Sequence, residues 1–154
     1  MKILGIDPGL TGGLAVLAGT LQSVQRMPVI NGEINASDVE ILLDLVQPDM
    51  VVIEAQQSMP KQGVSTTFKT GLNYGKLLGV LESSAHPYVR MQPMEWKKLN
   101  GLVGKDKNAS RALASNLYPH LREHFRQAKD DGVAESALIA RAYQIRYTRQ
   151  ENMA

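Results

Sequence analysis

Four acidic residues stand where carboxylates can do chemistry. Asp7 closes the apolar run Lys2 to Ile6, Glu54 closes the run Met50 to Ile53, and Asp131 and Glu135 lie four residues apart around the start of a C-terminal helical pattern. If the two runs are neighbouring strands of an open α/β sheet, Asp7 and Glu54 sit at carboxyl ends, beside the crevice where such sheets bind ligands. A spacing of four puts Asp131 and Glu135 on one helix face, able to point into the same crevice. Converging carboxylates repel unless a cation compensates them, and the hard ions Mg²⁺ and Mn²⁺ favour all-oxygen sites. Two such ions, roughly 4 Å apart, activate water and stabilise a leaving 3′ oxygen in phosphodiester hydrolysis. That chemistry needs no Ser, Cys or His.

Each acid also has a plainer reading. Asp7 is a turn former before Pro8-Gly9, Glu54 a polar cap on a strand, Asp131 a partner for the helix dipole, and Glu135 an outward-facing residue in an otherwise apolar stretch. Asp130 reads as the solvated neighbour of Asp131, with an exchange of roles between the two left open. Other site types fit worse. Gly5-Ile6-Asp7-Pro8-Gly9 has neither the P-loop lysine nor a complete dinucleotide fingerprint, so no small-molecule cofactor is expected. His120 and His124 are spaced by four, but no H-E-x-x-H accompanies them.

The elements that must position these acids are legible in outline. Lys2 to Ile6 reads as a buried strand ended by Pro8-Gly9, and Leu14 to Ala18 with Leu21 to Met27 reads as an antiparallel hairpin turning at Gly19-Thr20. Ser37-Asp38-Val39-Glu40 has the form of a capping box. Val39, Leu42, Leu43 and Val46 continue it as one buried helical stripe that Pro48 stops. The nearly all-apolar Met50 to Ile53 suits a central parallel strand. A polar loop and a helix from about Thr66 to Ser83 follow. Gly71, Gly75 and Gly79 recur on one face of that helix at a cost of roughly 1 kcal/mol each, so the sheet, a partner helix or a nucleic-acid backbone is expected to come close there. Tyr88 to Met91 is the next strand, and Pro93 opens a short helix to Leu99. A loop over 100–106, a helix to about Tyr118, a short segment from Leu121 and a last helix from Val133 complete the chain, with 149–154 expected to fray.

Composition narrows the class. The 154 residues, 44% apolar and 21% charged, make one ordinary domain able to bury a core. With no cysteine there is no disulfide or thiolate metal site, and no run is long and apolar enough to span a membrane. A cytoplasmic, nucleoid-associated or equivalent DNA-containing interior compartment is expected, without secretion. Charge is uneven: residues 1–96 carry 6 Lys and Arg against 9 Asp and Glu, and residues 97–154 carry 11 against 6. Such asymmetry permits a polyanion-binding face beside an acidic pocket, as ordinary solvated faces also would.

Gly5-Ile6-Asp7-Pro8-Gly9 with Thr11-Gly12, then Ile53-Glu54, then Asp131-Gly132-Val133-Ala134-Glu135 followed by Ser136 to Ala140 resembles the RuvC family of Holliday-junction resolvases, especially its short phage-type and organellar relatives. The resemblance spans residues 2–145. It implies a ribonuclease H-like α/β fold, a mixed five-stranded sheet with helices on both faces. It also implies a homodimeric, Mg²⁺-dependent endonuclease, with Mn²⁺ a substitute and two ions per site, that places paired nicks in four-way DNA junctions. Asp7, Glu54 and Glu135 match the family's acids. The residue three before Glu135 is Gly132 rather than an acid, so the fourth ligand is assigned to Asp131. Lys97 or Lys98, with Lys105 and Lys107, resemble phosphate-contacting lysines, and as the start of the basic region they suit that role. The loop carrying Gln57, Met59 and Lys61 occupies the place where relatives meet the crossover, with Gln57 or Met59 as wedge or reader. The dimer contact is expected on the glycine helix, with Phe68, Leu72 and Leu78. A branched-DNA or RNA–DNA hybrid nuclease, a non-catalytic junction binder and a structural protein are the competing readings.

Overall fold

The computed structural model describes residues 1–154. Its centre is a five-stranded sheet in the order β3-β2-β1-β6-β7, formed by β1 (Lys2–Asp7), β2 (Gly13–Ala18), β3 (Thr20–Arg26), β6 (Met50–Glu54) and β7 (Tyr88–Met91). β2 runs antiparallel to both of its neighbours, β1 and β3, whereas β6 and β7 extend the sheet parallel to β1. The sheet is therefore mixed, as the sequence predicts. β4 (Val29–Ile30) and β5 (Glu33–Ile34) form a separate small hairpin that the sequence reading lacks. Asn31-Gly32 turns it, both residues with positive φ, which is the strongest short hairpin signal there is.

Alternation along the strands divides the core into two layers. Leu4, Ile6, Val51 and Ile53 pack with Leu14, Val16 and with Val39 and Leu43 of α1 (Ala36–Val46) and Leu77 and Leu81 of α2 (Val64–Ser83). Ile3, Val52, Ala15 and Leu17 pack instead with Val133 to Tyr143 of α5 (Asp131–Met153), Trp96 of α3 (Pro93–Leu99) and Ala114 of α4 (Ala109–Leu117). Helices thus cover both faces. The layers follow from the two-residue period of strands, which sends successive side chains to opposite sides.

Four local readings are corrected. Helix α1 is capped by Asn35, whose side chain accepts the Asp38 amide, and not by Ser37, because the chain turns helical two residues earlier than the capping-box pattern implies. The last helix opens at Asp131 rather than Val133 and continues through Met153, so the 149–153 segment is helical instead of frayed. The short segment expected from Leu121 is a 3-10 helix over Pro119–Phe125, which Pro119 opens. Asp130 is buried, not solvated.

Candidate active site

Strand parity brings the first two carboxylates together. Asp7 continues the side of β1 that carries Ile3, and Glu54 continues the side of β6 that carries Val52, so both face the α5 layer. Ile6 pairs with Ile53 in the parallel register, which sets Asp7 and Glu54 side by side one residue further on. Glu135 arrives from α5. That helix seats closely because glycine stands at the contacts: a Cβ on Gly5 would lie 2.2 Å from the Ser136 carbonyl oxygen, and one on Gly132 would lie 2.2 Å from that of Thr11. The absence of an acid at position 132 is thereby explained, since no side chain fits there.

Burial raises all three carboxylates, and repulsion between them adds to it at Asp7 and Glu135. Burial, then repulsion from Glu135 and Glu54, pushes Asp7 well above the usual carboxylate range, against the pull of Lys97. Burial raises Glu54 as well, opposed by the Trp96 indole and Lys97. Glu135 is pushed up to about 7, by burial first and then by Glu54, with Lys97 opposing and Asp131 adding repulsion. Glu54 accepts a hydrogen bond at 2.6 Å from Trp96 Nε1, while Asp7 and Glu135 have no donor of their own. Carboxylates left short of donors suit a hard cation. They are not gathered at ligand spacing, however: no three acidic or imidazole side chains form a ready-made cation cluster.

Asp131 and Asp130 take different parts. Asp131 lies near enough to Glu135 to raise it, yet its Oδ1 is bound by Arg111 Nε at 2.6 Å. Arg111 also donates to the Arg126 carbonyl at 3.2 Å and to Asn108 Oδ1, tying α4 to the start of α5. Asp130 points elsewhere. It pairs with Arg26 and accepts the Gln127 amide at 3.0 Å. Burial alone would raise its carboxyl, but Arg26, the Gln127 amide and Lys129 together hold it below its ordinary value.

Two clefts flank the acids. One, of about 250 Å³, is lined by Lys97, Lys105 and Lys107 together with Glu135 and Ser110. The other, of about 310 Å³, joins Glu54 to Gln57, Met59, Gln62 and Thr70. Five of the sequence-derived contact residues therefore border the carboxylates. Lys98 is exposed, as is Lys61, and neither lines these clefts. The sequence reading missed Trp96 and Arg111. Trp96 was findable: the chain's sole Trp lies in the helix that Pro93 opens, and a buried indole N–H requires an acceptor. Arg111 carried no signal, because its partners converge only in the fold.

Sheet order, two helical layers and acids at the strand ends define a ribonuclease H-like α/β fold. The chain shares that fold with solved junction resolvases. A structure of Thermus thermophilus RuvC in complex with Holliday junction substrate matches with a TM-score of 0.74 at 22% identity, over 97% of this chain and 96% of that one. The fowlpox virus resolvase with its Holliday junction DNA matches at 0.59 and 16% identity, over 92% and 97% of the two chains. The yeast mitochondrial Holliday junction resolvase matches at 0.58 and 16%, over 96% and 83%. No family model matches the sequence, and no curated protein matches it.

Proposed function

We propose that the protein is a structure-selective endodeoxyribonuclease that resolves four-way DNA junctions by paired, symmetric nicks. The observation that carries this reading is the convergence of Asp7, Glu54 and Glu135 from two strand ends and a helix, with Asp7 and Glu135 lacking donors. Asp7, Glu54 and Glu135, with Asp131, would hold Mg²⁺ or Mn²⁺, two ions per site. Bound there, the ions supply water activation and charge neutralisation at the leaving 3′ oxygen. Lys97 keeps the acids partly compensated, and Lys105 and Lys107 across the same cleft seat the neighbouring phosphates. Gln57 and Met59, exposed beside Glu54, meet the strand at the branch.

Symmetric nicking calls for two sites, hence a homodimer. Its face is α2, where Cβ atoms added at Gly71, Gly75 and Gly79 would meet nothing within 4 Å. Val64 and Phe68, 89% and 72% exposed, share that side with Leu72. Within the chain nothing occupies the space these glycines leave, which favours a second copy over the sheet as the close neighbour. Leu78, assigned to that contact from the sequence, packs against the α1/α2 core.

Incubation with a synthetic four-way junction, a linear duplex and an RNA–DNA hybrid, with and without Mg²⁺, tests the function. Metal-dependent nicks on opposing strands of the junction alone are expected. Preferential cutting of the hybrid would make the protein a ribonuclease, and tight junction binding without nicks would make it a binding module.

A further inference from the structure

We infer that Trp96 is the positioning residue for Glu54, and that α3 is the element that sets the geometry of the acidic site. The inference rests on the proposed function and adds a residue to it. Trp96 is fully buried, and its Nε1–H donates to Glu54 Oε2 at 2.6 Å. An indole nitrogen can only donate, so the contact is satisfied only while that carboxylate oxygen stays within reach. A charge-assisted bond of this length holds the Glu54 side chain in one orientation and leaves Oε1 without a partner. A glutamate has three rotatable side-chain bonds, and here it ends a strand, where unaided it would sample several orientations.

Trp96 is itself immobilised. Its ring belongs to the core cluster built by α5, α4 and β7, packed with Met91, Leu102, Ala114 and Leu138 as members. The backbone is equally fixed: Pro93 starts α3 with its φ preset. Asn100, just past the end of α3, donates to the carbonyls of Trp96 at 2.8 Å and Leu138 at 2.9 Å, binding α3 to α5. The Asn100 oxygen accepts in turn from Arg141 at 2.8 Å. Through this chain of contacts the helix that carries Glu135 and the strand that carries Glu54 are referred to one rigid piece.

The next residue of α3 completes the device. Lys97 places its ammonium 5.4 Å from the indole centroid and acts on Asp7, Glu54 and Glu135 alike. One short helix thus supplies a donor that orients an acid and a cation that offsets the charge of all three. Outer partners of this kind fix the direction and basicity of groups that hold metals, and losing one costs roughly ten- to hundredfold in affinity or activity.

The test is Trp96→Phe, which removes the N–H and keeps an aromatic ring, beside Leu17→Ala. Leu17 belongs to the same core but pairs with Ile3, at the other end of β1 from Asp7. Mn²⁺ uptake is read by the loss of the free-ion paramagnetic resonance signal, with kcat, KM and junction binding in chelator measured alongside. Trp96→Phe is expected to weaken Mn²⁺ binding roughly ten- to hundredfold and to lower kcat while leaving junction binding unchanged. Leu17→Ala is expected to lower Tm without weakening Mn²⁺ binding. Equal Mn²⁺ affinity in Trp96→Phe and the unmodified protein, or equal weakening in Leu17→Ala, would overturn the inference and leave the proposed function standing. An unmodified protein that takes up no Mn²⁺ would sink both. Should Trp96→Phe fail to fold, the single indole cross-peak in a ¹H–¹⁵N spectrum decides: it should lie downfield and move upfield in Glu54→Ala, and a peak that ignores that substitution overturns the inference.

Discussion

At the scale of single residues the acids differ in what holds them: Asp130 and Asp131 are bound by arginines, whereas Asp7 and Glu135 have no donor. Asp7→Asn keeps the shape of the strand end but removes a charge that nothing in the protein uses as a hydrogen-bond acceptor. Nicking should fall below about a tenth of the unmodified rate while junction binding is retained, in a parallel binding and cleavage titration. Glu135→Gln should be comparably damaging. Asp131→Asn should weaken divalent-ion binding, because its carboxylate stands near Glu135 and is lent to Arg111. Asp130→Asn should instead lower Tm through loss of the half-buried Arg26 pair and the bond from the Gln127 amide, with little effect on ion affinity; the reverse pattern would exchange the two assignments. That Asp7, Glu54 and Glu135 come together was legible because strand ends and apolar runs make an acid conspicuous. The split between Asp130 and Asp131 was not, since it depends on Arg26 and Arg111, over a hundred and about twenty residues away in sequence.

At the scale of elements, the strands and main helices of the sheet were readable from period-two runs and from Pro and Gly boundaries. The fit of α5 was not. It depends on backbone contacts at Gly5 and Gly132 that no periodicity reports. Gly132→Ala should therefore be disruptive although alanine favours helix, because its Cβ would overlap the Thr11 carbonyl. Gly75→Ala should do the opposite in the isolated chain, raising helix stability by about 1 kcal/mol on an open face. If that face meets a second copy, the same substitution should weaken dimerisation, and sedimentation across concentration would separate the two effects. The glycine spacing announced an unusual face; only the packing of α1 and α2 reveals that the sheet lies on another side.

At the scale of the whole molecule, the charge division seen along the chain becomes a lysine-lined cleft joined to an acidic centre. Lys105→Ala with Lys107→Ala should weaken junction binding alike on all sequences and reduce the slope of log K against log salt by up to about two. The acidic centre governs stability in a way the net charge of +2 does not suggest. Asp7, Glu54 and Glu135 all have their pKa values raised by folding, Glu135 to about 7, so between about pH 4 and 7 the native state holds more protons than the unfolded chain. Stability from these groups is complete below their ordinary values and is lost as pH rises through the folded ones. Asp130, held low, acts in the other direction and only in acid, below its ordinary value. In chelator, Tm should thus decline from about pH 4 to about pH 7. Millimolar Mg²⁺ should restore it most at the high end, because a cation binds the deprotonated carboxylates of the native state and little else. Glu135→Gln should flatten the decline and shrink the Mg²⁺ response together. Thermal melts over that pH range, with chelator or Mg²⁺, read all three; a Tm that climbs with pH in chelator would contradict the burial, and the repulsion added to it, that raise these carboxylates.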